Sequence, residues 1–330
     1  MRSSFLALTT LSVLAPQQSA AQHHGVHAQG GTPDGSYLRA ADFRVASVVH
    51  RLATAGKAHC DASHPLTGLL LHHLDEYAVG DRAEAVRRFG LDKGPGVLAV
   101  VPRSAAAQAG VTAGDLLLSI NGVPLPRPAD LAGQSKPGNP RKSAEEADAT
   151  IEQQVRNGSA RLEILRQGQP LSLLLKPVMG CAARGRLARS SQANAFADGR
   201  YAIMTTKMLD FVQNDDELAV VMAHEIAHNL LAHPARLEQQ KVPHGILRGI
   251  GKNASRVRTT EEEADRLALK LVWSAGYDLA AAMPFWRRLY ARYDPIPIPK
   301  LFRTHPSLAA RERLIRETIE QLSGAGASAR

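Results

Sequence analysis

AVVMAHEIAHNLLAH, residues 219–233, is apolar except for three histidines, one glutamate and one asparagine. An α-helix turns about 100° per residue, so His224 and His228 project about 40° apart on one face and can grip one metal ion. Glu225 follows the first histidine directly, where a general base can take a proton from a water bound to that metal. Continued as a helix, the same stretch puts His233 about 180° round from His224, with Pro234 stopping it just beyond. On that geometry His233 cannot join the pair. A buried helix with hydrogen-bonded core histidines is the alternative to a metal site, and a third ligand decides between them.

The segment TTEEEADRLALKLVWSAGYD, residues 259–278, offers three consecutive glutamates. Ala264, Leu267, Ala268, Leu271, Val272 and Ala275 form one apolar stripe of helical period, and Glu261 falls about 50° from its centre. Glu262 and Glu263 fall about 150° and 110° away, toward water. Glu261 is therefore the acid expected to face the core as third ligand. Asp265, one turn later, can partner a ligating histidine. Acids also favour the first turn of any helix through its dipole, which accounts for Glu262 and Glu263 but not for an inward Glu261.

HEIAH followed by EEEAD resembles the His-Glu-x-x-His plus Glu-x-x-x-Asp pattern of the CAAX prenyl endopeptidase and HtpX-like zinc metallopeptidases, which include periplasmic BepA-type proteases. The resemblance covers residues 180–322. It implies one Zn2+ per chain held by His224, His228 and Glu261, with Glu225 as general base and Asp265 behind a ligand. NAFADGRYAIMTTKMLDF (194–211) resembles the strand pair before the active-site helix, with Asp198-Gly199 as a hairpin turn. Asn194, Ala195 and Phe196 then become the candidate edge strand along which a substrate peptide aligns. THPSLAAR (304–311) resembles the family's Thr-His-Pro segment and its later arginine. By that likeness His305 approaches the metal in a closed state, and Arg311 touches substrate or supports the ligands; an ordinary loop and helix start is the other reading. Residues 235–258 read either as a mobile cover over the cleft or as a surface loop. The metzincin pattern is excluded, because it needs a third histidine where Pro234 stands.

Upstream, PGVLAVVPRSAAAQAGVTAGDLLLSINGVPL (95–125) resembles the start of a bacterial PDZ domain. It reads as a strand over Val97–Val101, a short alanine-rich helix closed by Gly110, a turn at 113–115 and a strand into Asn121-Gly122. A helix over Ser143–Val155 and a hairpin over 161–178 complete the unit. Such domains bind a peptide as an added strand, with backbone amides catching its carboxylate. That loop is expected within FGLDKGPG (89–96), and a purely structural spacer is the alternative.

The first 22 residues carry one arginine, an apolar run from Phe5 to Ala15 and small residues at Ser19 and Ala21, as in a secretory signal cut after Ala21. That run is too short to span a bilayer, and no later one approaches 18 residues. Loss of Arg2 lowers the formal charge from +9 to +8. Such a surface suits peripheral contact with anionic lipid or envelope assemblies. Nucleic acid is a poor partner for an exported chain with 5% aromatics and no binding module. Cys60 and Cys181 flank the PDZ-like stretch, and an oxidising compartment permits a bridge between them, two free thiols being the alternative.

The expectation is therefore an α+β chain. It comprises a signal peptide (1–21), a flexible linker (22–35), a helical N-terminal segment (36–90), a β-rich PDZ-like domain (91–178), a mainly helical gluzincin-type peptidase domain with a small sheet (180–322) and a disordered tail (323–330). The function expected is zinc-dependent hydrolysis of unfolded or misfolded envelope polypeptides, in the periplasm or, alternatively, after secretion. The rival is a periplasmic chaperone or binding protein with a latent, self-inhibited metal site.

Overall fold

The computed structural model describes residues 35–128, 140–242, 251–293 and 306–328. The expected signal peptide, the linker up to residue 34, residue 305, the middle of 235–258 and residues 129–139 lie outside them. The described chain is α+β, as expected.

Helix α1 (Gly35–Ala55) carries the apolar period Val45, Val48, Val49 and Leu52, and buries it in the same core as the helices of the C-terminal half. Strands β1 (His64–Leu66) and β2 (Leu69–His72) and helix α2 (Arg82–Phe89) follow. The next elements are β3 (Gly96–Val100), α3 (Ala105–Gln108), β4 (Leu116–Ile120) and β5 (Val123–Pro124). Helix α4 (Lys142–Val155) and strands β6 (Ala160–Arg166), β7 (Gln169–Leu175) and β8 (Val178–Gly180) end this half. One sheet runs β2-β3-β4-β6-β7, with β5 paired to β4. Ala147, Ile151 and Val155 of α4 pack on it against Val97, Leu117, Ile120, Leu162 and Ile164. The β6–β7 hairpin turns through Gln167 and Gly168, both at positive φ as a tight two-residue turn requires.

Two expectations need correction here. The segment 36–90 is not uniformly helical: β2 is the edge strand of the PDZ-like sheet, which thus begins near residue 69 rather than 91. A four-residue LLLH strand is too short to display the alternation that separates strand from helix in sequence. The stretch 89–96 packs on the sheet, where a Cβ at Gly94 would come 2.6 Å from the Leu117 carbonyl oxygen. It is the turn before β2, at Thr67 and Gly68, that lines the cavity between β2 and α4.

The C-terminal half opens with β9 (Gly185–Ala188), β10 (Ala195–Ala197) and β11 (Ala202–Thr205). They form a sheet ordered β10-β11-β9, β11 being antiparallel to β10 and parallel to β9. Helices α5 (Thr206–Phe211), α6 (Asp215–Leu230), α7 (His233–Gln239), α8 (Gly251–Ser274), α9 (Ala282–Tyr293) and α10 (Leu308–Ser328) follow. Helix α10 continues past residue 322, so residues 323–328 are helix and not the disordered tail expected. Of residues 235–258, read as a cover or a surface loop, 235–239 and 251–258 are helical, in α7 and the start of α8.

Cys60 and Cys181 are joined in a disulfide, with Cα atoms 5.6 Å apart, which ties the end of α1 to the chain leaving β8. Beside it the Cys181 amide donates to the Ala53 carbonyl at 2.9 Å. The two halves also meet through charge. Arg184 Nε donates to Glu152 of α4 at 2.7 Å, and Arg186 of β9 pairs with Glu145. Among the described residues, no helix is long and apolar enough to cross a membrane.

Candidate metal centre

Helix α6 starts where Asn214 accepts the Glu217 amide at 2.9 Å, and the Glu217 carboxylate reaches back to the Gln213 amide at 2.8 Å. Arg288 of α9 grips that carboxylate with two hydrogen bonds, at 2.8 and 2.7 Å. From Leu218 to Ala227 every residue of α6 is buried, so packing fixes the rotation of the helix and the direction of its histidines. Glu225 lies on the same turn as His224 and is 9% exposed.

His224 Nε2 and His228 Nε2 lie 3.2 Å apart. Each is 3.5 Å from a Glu261 carboxylate oxygen, brought in by α8. A tetrahedral zinc with bonds of about 2.0–2.1 Å separates neighbouring ligand atoms by about 3.3 Å. The two rings approach different oxygens of Glu261, and one ligand atom from each of the three residues lies within 4.8 Å of the others, close enough for the three to share one such ion. Glu261 is 3% exposed, whereas Glu262 faces water, as the apolar stripe requires.

Behind the ligands, His224 Nδ1 sits 2.9 Å from Asp265, and Arg311 of α10 donates to Asp265 at 2.7 Å and to Glu261 at 3.3 Å. The Arg311 guanidinium also stacks 3.9 Å from the centroid of Trp286, whose indole meets the His224 ring edge to face. Arg311 is 2% exposed, and of its two expected roles this burial favours support of the ligands over contact with substrate. It positions two carboxylates from behind.

Burial opposes charge on both imidazoles. At His224 the Asp265 and Glu261 carboxylates outweigh it and push the ring up to about 10. At His228 burial and the neighbouring His224 charge hold the ring down to about 3. Once His224 gives up its proton, as ligation requires, two carboxylates against one guanidinium leave the cluster a net anion, which suits a divalent cation.

The hairpin ahead of α6 is held against it. Asp198 accepts the amides of Arg200 and Tyr201 at 2.8 and 2.6 Å, and the Gly199 amide donates to Asn229, next to His228, at 2.7 Å. β10 is an edge of its sheet, Ala195 pairing with Met204 and Phe196 with Ile203, while Asn194 bonds Thr205.

Trp286 and Tyr290, which orders the start of α10 by donating to the Pro306 carbonyl at 2.7 Å, were not singled out in the sequence. Nothing in the α9 pattern separates them from ordinary core aromatics. His233 does not ligate with the pair, yet its Nδ1 comes 2.8 Å from His228 Nδ1. The expected 180° displacement fails because α6 ends at Leu230. Ala232 then adopts a left-handed conformation and Pro234 begins α7 instead of stopping α6.

Residues 183–247 and 244–319 match Peptidase family M48, and residues 96–133 match a PDZ domain. The stretch that matches peptidase family M48, residues 183–319, holds all three candidate ligands, with Glu225, Asp265 and Arg311. The chain is 28% identical over 167 residues to the beta-barrel assembly-enhancing protease of Escherichia coli (strain K12), which covers 41% of this chain and 34% of that protein. It is 29% identical over 151 residues to the protein of that name from Yersinia pestis, covering 36% and 31%. The chain thus spans about a third of the length of these relatives. Among solved structures, an HtrA3 PDZ domain bound to a phage-derived ligand aligns with 36% of this chain and 92% of its own at 21% identity and a TM-score of 0.25.

Proposed function

We propose that this chain is a zinc-dependent endopeptidase of the cell envelope, exported to the periplasm by a cleaved signal peptide, and that it hydrolyses unfolded or misfolded polypeptides. The observation that carries the proposal is the spacing of His224, His228 and Glu261, 3.2 to 3.5 Å between donors on two helices of an M48 unit.

Zinc, when bound there, would supply Lewis-acid polarisation of a peptide carbonyl and acidify the attacking water. The chain's own residues do the rest. Glu225, on the turn of the first ligand, accepts the proton of the attacking water and delivers it to the leaving amine. Asp265 and Arg311 fix His224 and Glu261. Substrate pairs with the open edge of β10 through Asn194, Ala195 and Phe196, a contact that reads backbone conformation more than side chains and so favours unfolded chains. The PDZ-like unit positions substrate. The name of these relatives, beta-barrel assembly-enhancing protease, supports a context in β-barrel assembly.

Metal content and casein cleavage, measured on the purified chain beside Glu225→Gln with and without chelator, test the proposal. The wild type should hold one zinc and lose cleavage on chelation, while the variant keeps zinc and does not cleave. Cleavage retained by Glu225→Gln would refute its role as base. Client holding without cleavage in the metal-loaded wild type would favour a binding protein instead.

A further inference from the structure

We propose that His233 and Glu263 form a hydrogen-bond relay that orients His228 and fixes the tautomer in which it can ligate a metal. The inference rests on the metallopeptidase reading and deepens it.

Each candidate ligand histidine has one nitrogen toward the centre and one outward. The outward nitrogen of His224 meets a carboxylate directly, Asp265 at 2.9 Å. The outward nitrogen of His228 meets another histidine, with Nδ1 2.8 Å from His233 Nδ1. Behind it, His233 Nε2 lies 3.0 Å from Glu263, and Arg236 holds the same carboxylate oxygen at 2.5 Å.

One arrangement of protons satisfies this chain and leaves a lone pair for the metal. Glu263 is anionic and can only accept, so His233 carries its proton on Nε2 and presents a bare Nδ1. That Nδ1 can only accept, so His228 carries its proton on Nδ1 and donates it outward. Nε2 of His228, facing His224 and Glu261, is then unprotonated. The opposite tautomer would place a proton on the atom that must bind the metal. Partners of this kind raise ligand basicity and hold ring orientation.

The backbone is shaped to deliver His233 to that position. Ala232 sits at φ 50°, a conformation alanine rarely adopts, and the reversal carries His233 back over the last turn of α6 at 1% exposure. Arg236, one turn along α7, then reaches the same Glu263 of α8. None of these residues belongs to the His-Glu-x-x-His or Glu-x-x-x-Asp pattern.

The test is the zinc dissociation constant, measured by competition with a chromophoric chelator at fixed pH, with far-UV circular dichroism of each apoprotein as a folding check. His233→Leu should weaken zinc binding by about 10- to 100-fold. His233→Asn should recover most of that loss, because its amide oxygen can occupy the place of Nδ1 and accept from His228. Glu263→Gln, at a half-exposed position, should give a smaller loss and stay folded. A folded His233→Leu that binds zinc within twofold of wild type overturns the relay, as does an equal loss in the Leu and Asn variants. Should His233→Leu not fold, unchanged affinity in Glu263→Gln overturns it. A wild type that binds no zinc overturns the metallopeptidase reading itself, whereas unchanged variants of a zinc-binding wild type remove only the relay.

Discussion

Arg311 and Asp265 form a fully buried ion pair, Nε to Oδ2 at 2.7 Å, between helices α10 and α8. The same guanidinium reaches Glu261, so one cation from the last helix neutralises a candidate metal ligand and the partner of another. Beside this cation and the His224 ring, the Asp265 carboxyl is held below the usual carboxylate range, although burial alone would raise it.

Replacing Arg311 by methionine should therefore cost about 3–5 kcal/mol, because two buried carboxylates lose their counter-charge and not merely a contact. Urea denaturation of the metal-free protein reads this out. Lysine should not restore wild-type stability, since a point charge cannot serve two carboxylates and stack on Trp286. A loss under about 1 kcal/mol for Arg311→Met would show that the pair contributes little net.

The two halves of this site differ in how openly the sequence displays them. The His224–His228 face follows from helix geometry alone, and Glu261 from its position on the stripe that includes Ala264, Ala268 and Leu271, because both lie inside long uninterrupted helices. His233 could not be placed that way. Helical-wheel arithmetic holds only while the helix continues, and the left-handed Ala232 ends it in a residue type that carries no turn signal. Pro234 was the available clue, since proline opens helices as readily as it closes them. Arg311 was legible only by resemblance, because its partners are 46 and 50 residues away. The strand at Leu69–His72 escaped for a different reason: its identity comes from pairing with β3, which no local pattern encodes.

The contact between the PDZ-like and M48 units should be pH-dependent. Asp148 of α4 lines a cavity with Arg184 and Arg186, and burial pushes its carboxyl up to about 6 against the opposing pull of Arg184, Arg141, Arg200 and Arg186. Asp42 of α1 is likewise raised to about 6 by burial. With folded values above the unfolded value of about 4, the folded chain holds protons that the unfolded chain has released between about pH 4 and 6. That stabilisation is complete at the acid end and is lost as pH rises through 6. Asp148→Asn should raise Tm at pH 7.5 and narrow the Tm difference between pH 5.5 and 7.5. Thermal melts at both values check this, and a variant with an unchanged difference would contradict it.

The Cys60–Cys181 bridge closes a loop of 121 residues containing the whole PDZ-like sheet. Constraining a loop of that size in the unfolded chain should contribute about 2–5 kcal/mol. The double Cys→Ser variant should unfold at lower denaturant by that margin, and reductant should shift the wild type but not the variant. An unchanged wild-type midpoint under reductant would rule this contribution out.

Metal removal should destabilise the folded chain. A ligand that binds only the folded state stabilises it by an amount that grows with the logarithm of its concentration over Kd, about 4 kcal/mol at a thousandfold excess. Chelator should thus lower the Tm of zinc-loaded wild type by several degrees. Glu261→Ala removes one of three donors, so its zinc occupancy should fall and its Tm should respond weakly to chelator. Its apoprotein serves as its own reference, because the mutation also leaves Arg311 with Asp265 as its remaining carboxylate contact here. Zinc content by mass spectrometry separates the two effects, and full occupancy in Glu261→Ala would place the third ligand elsewhere.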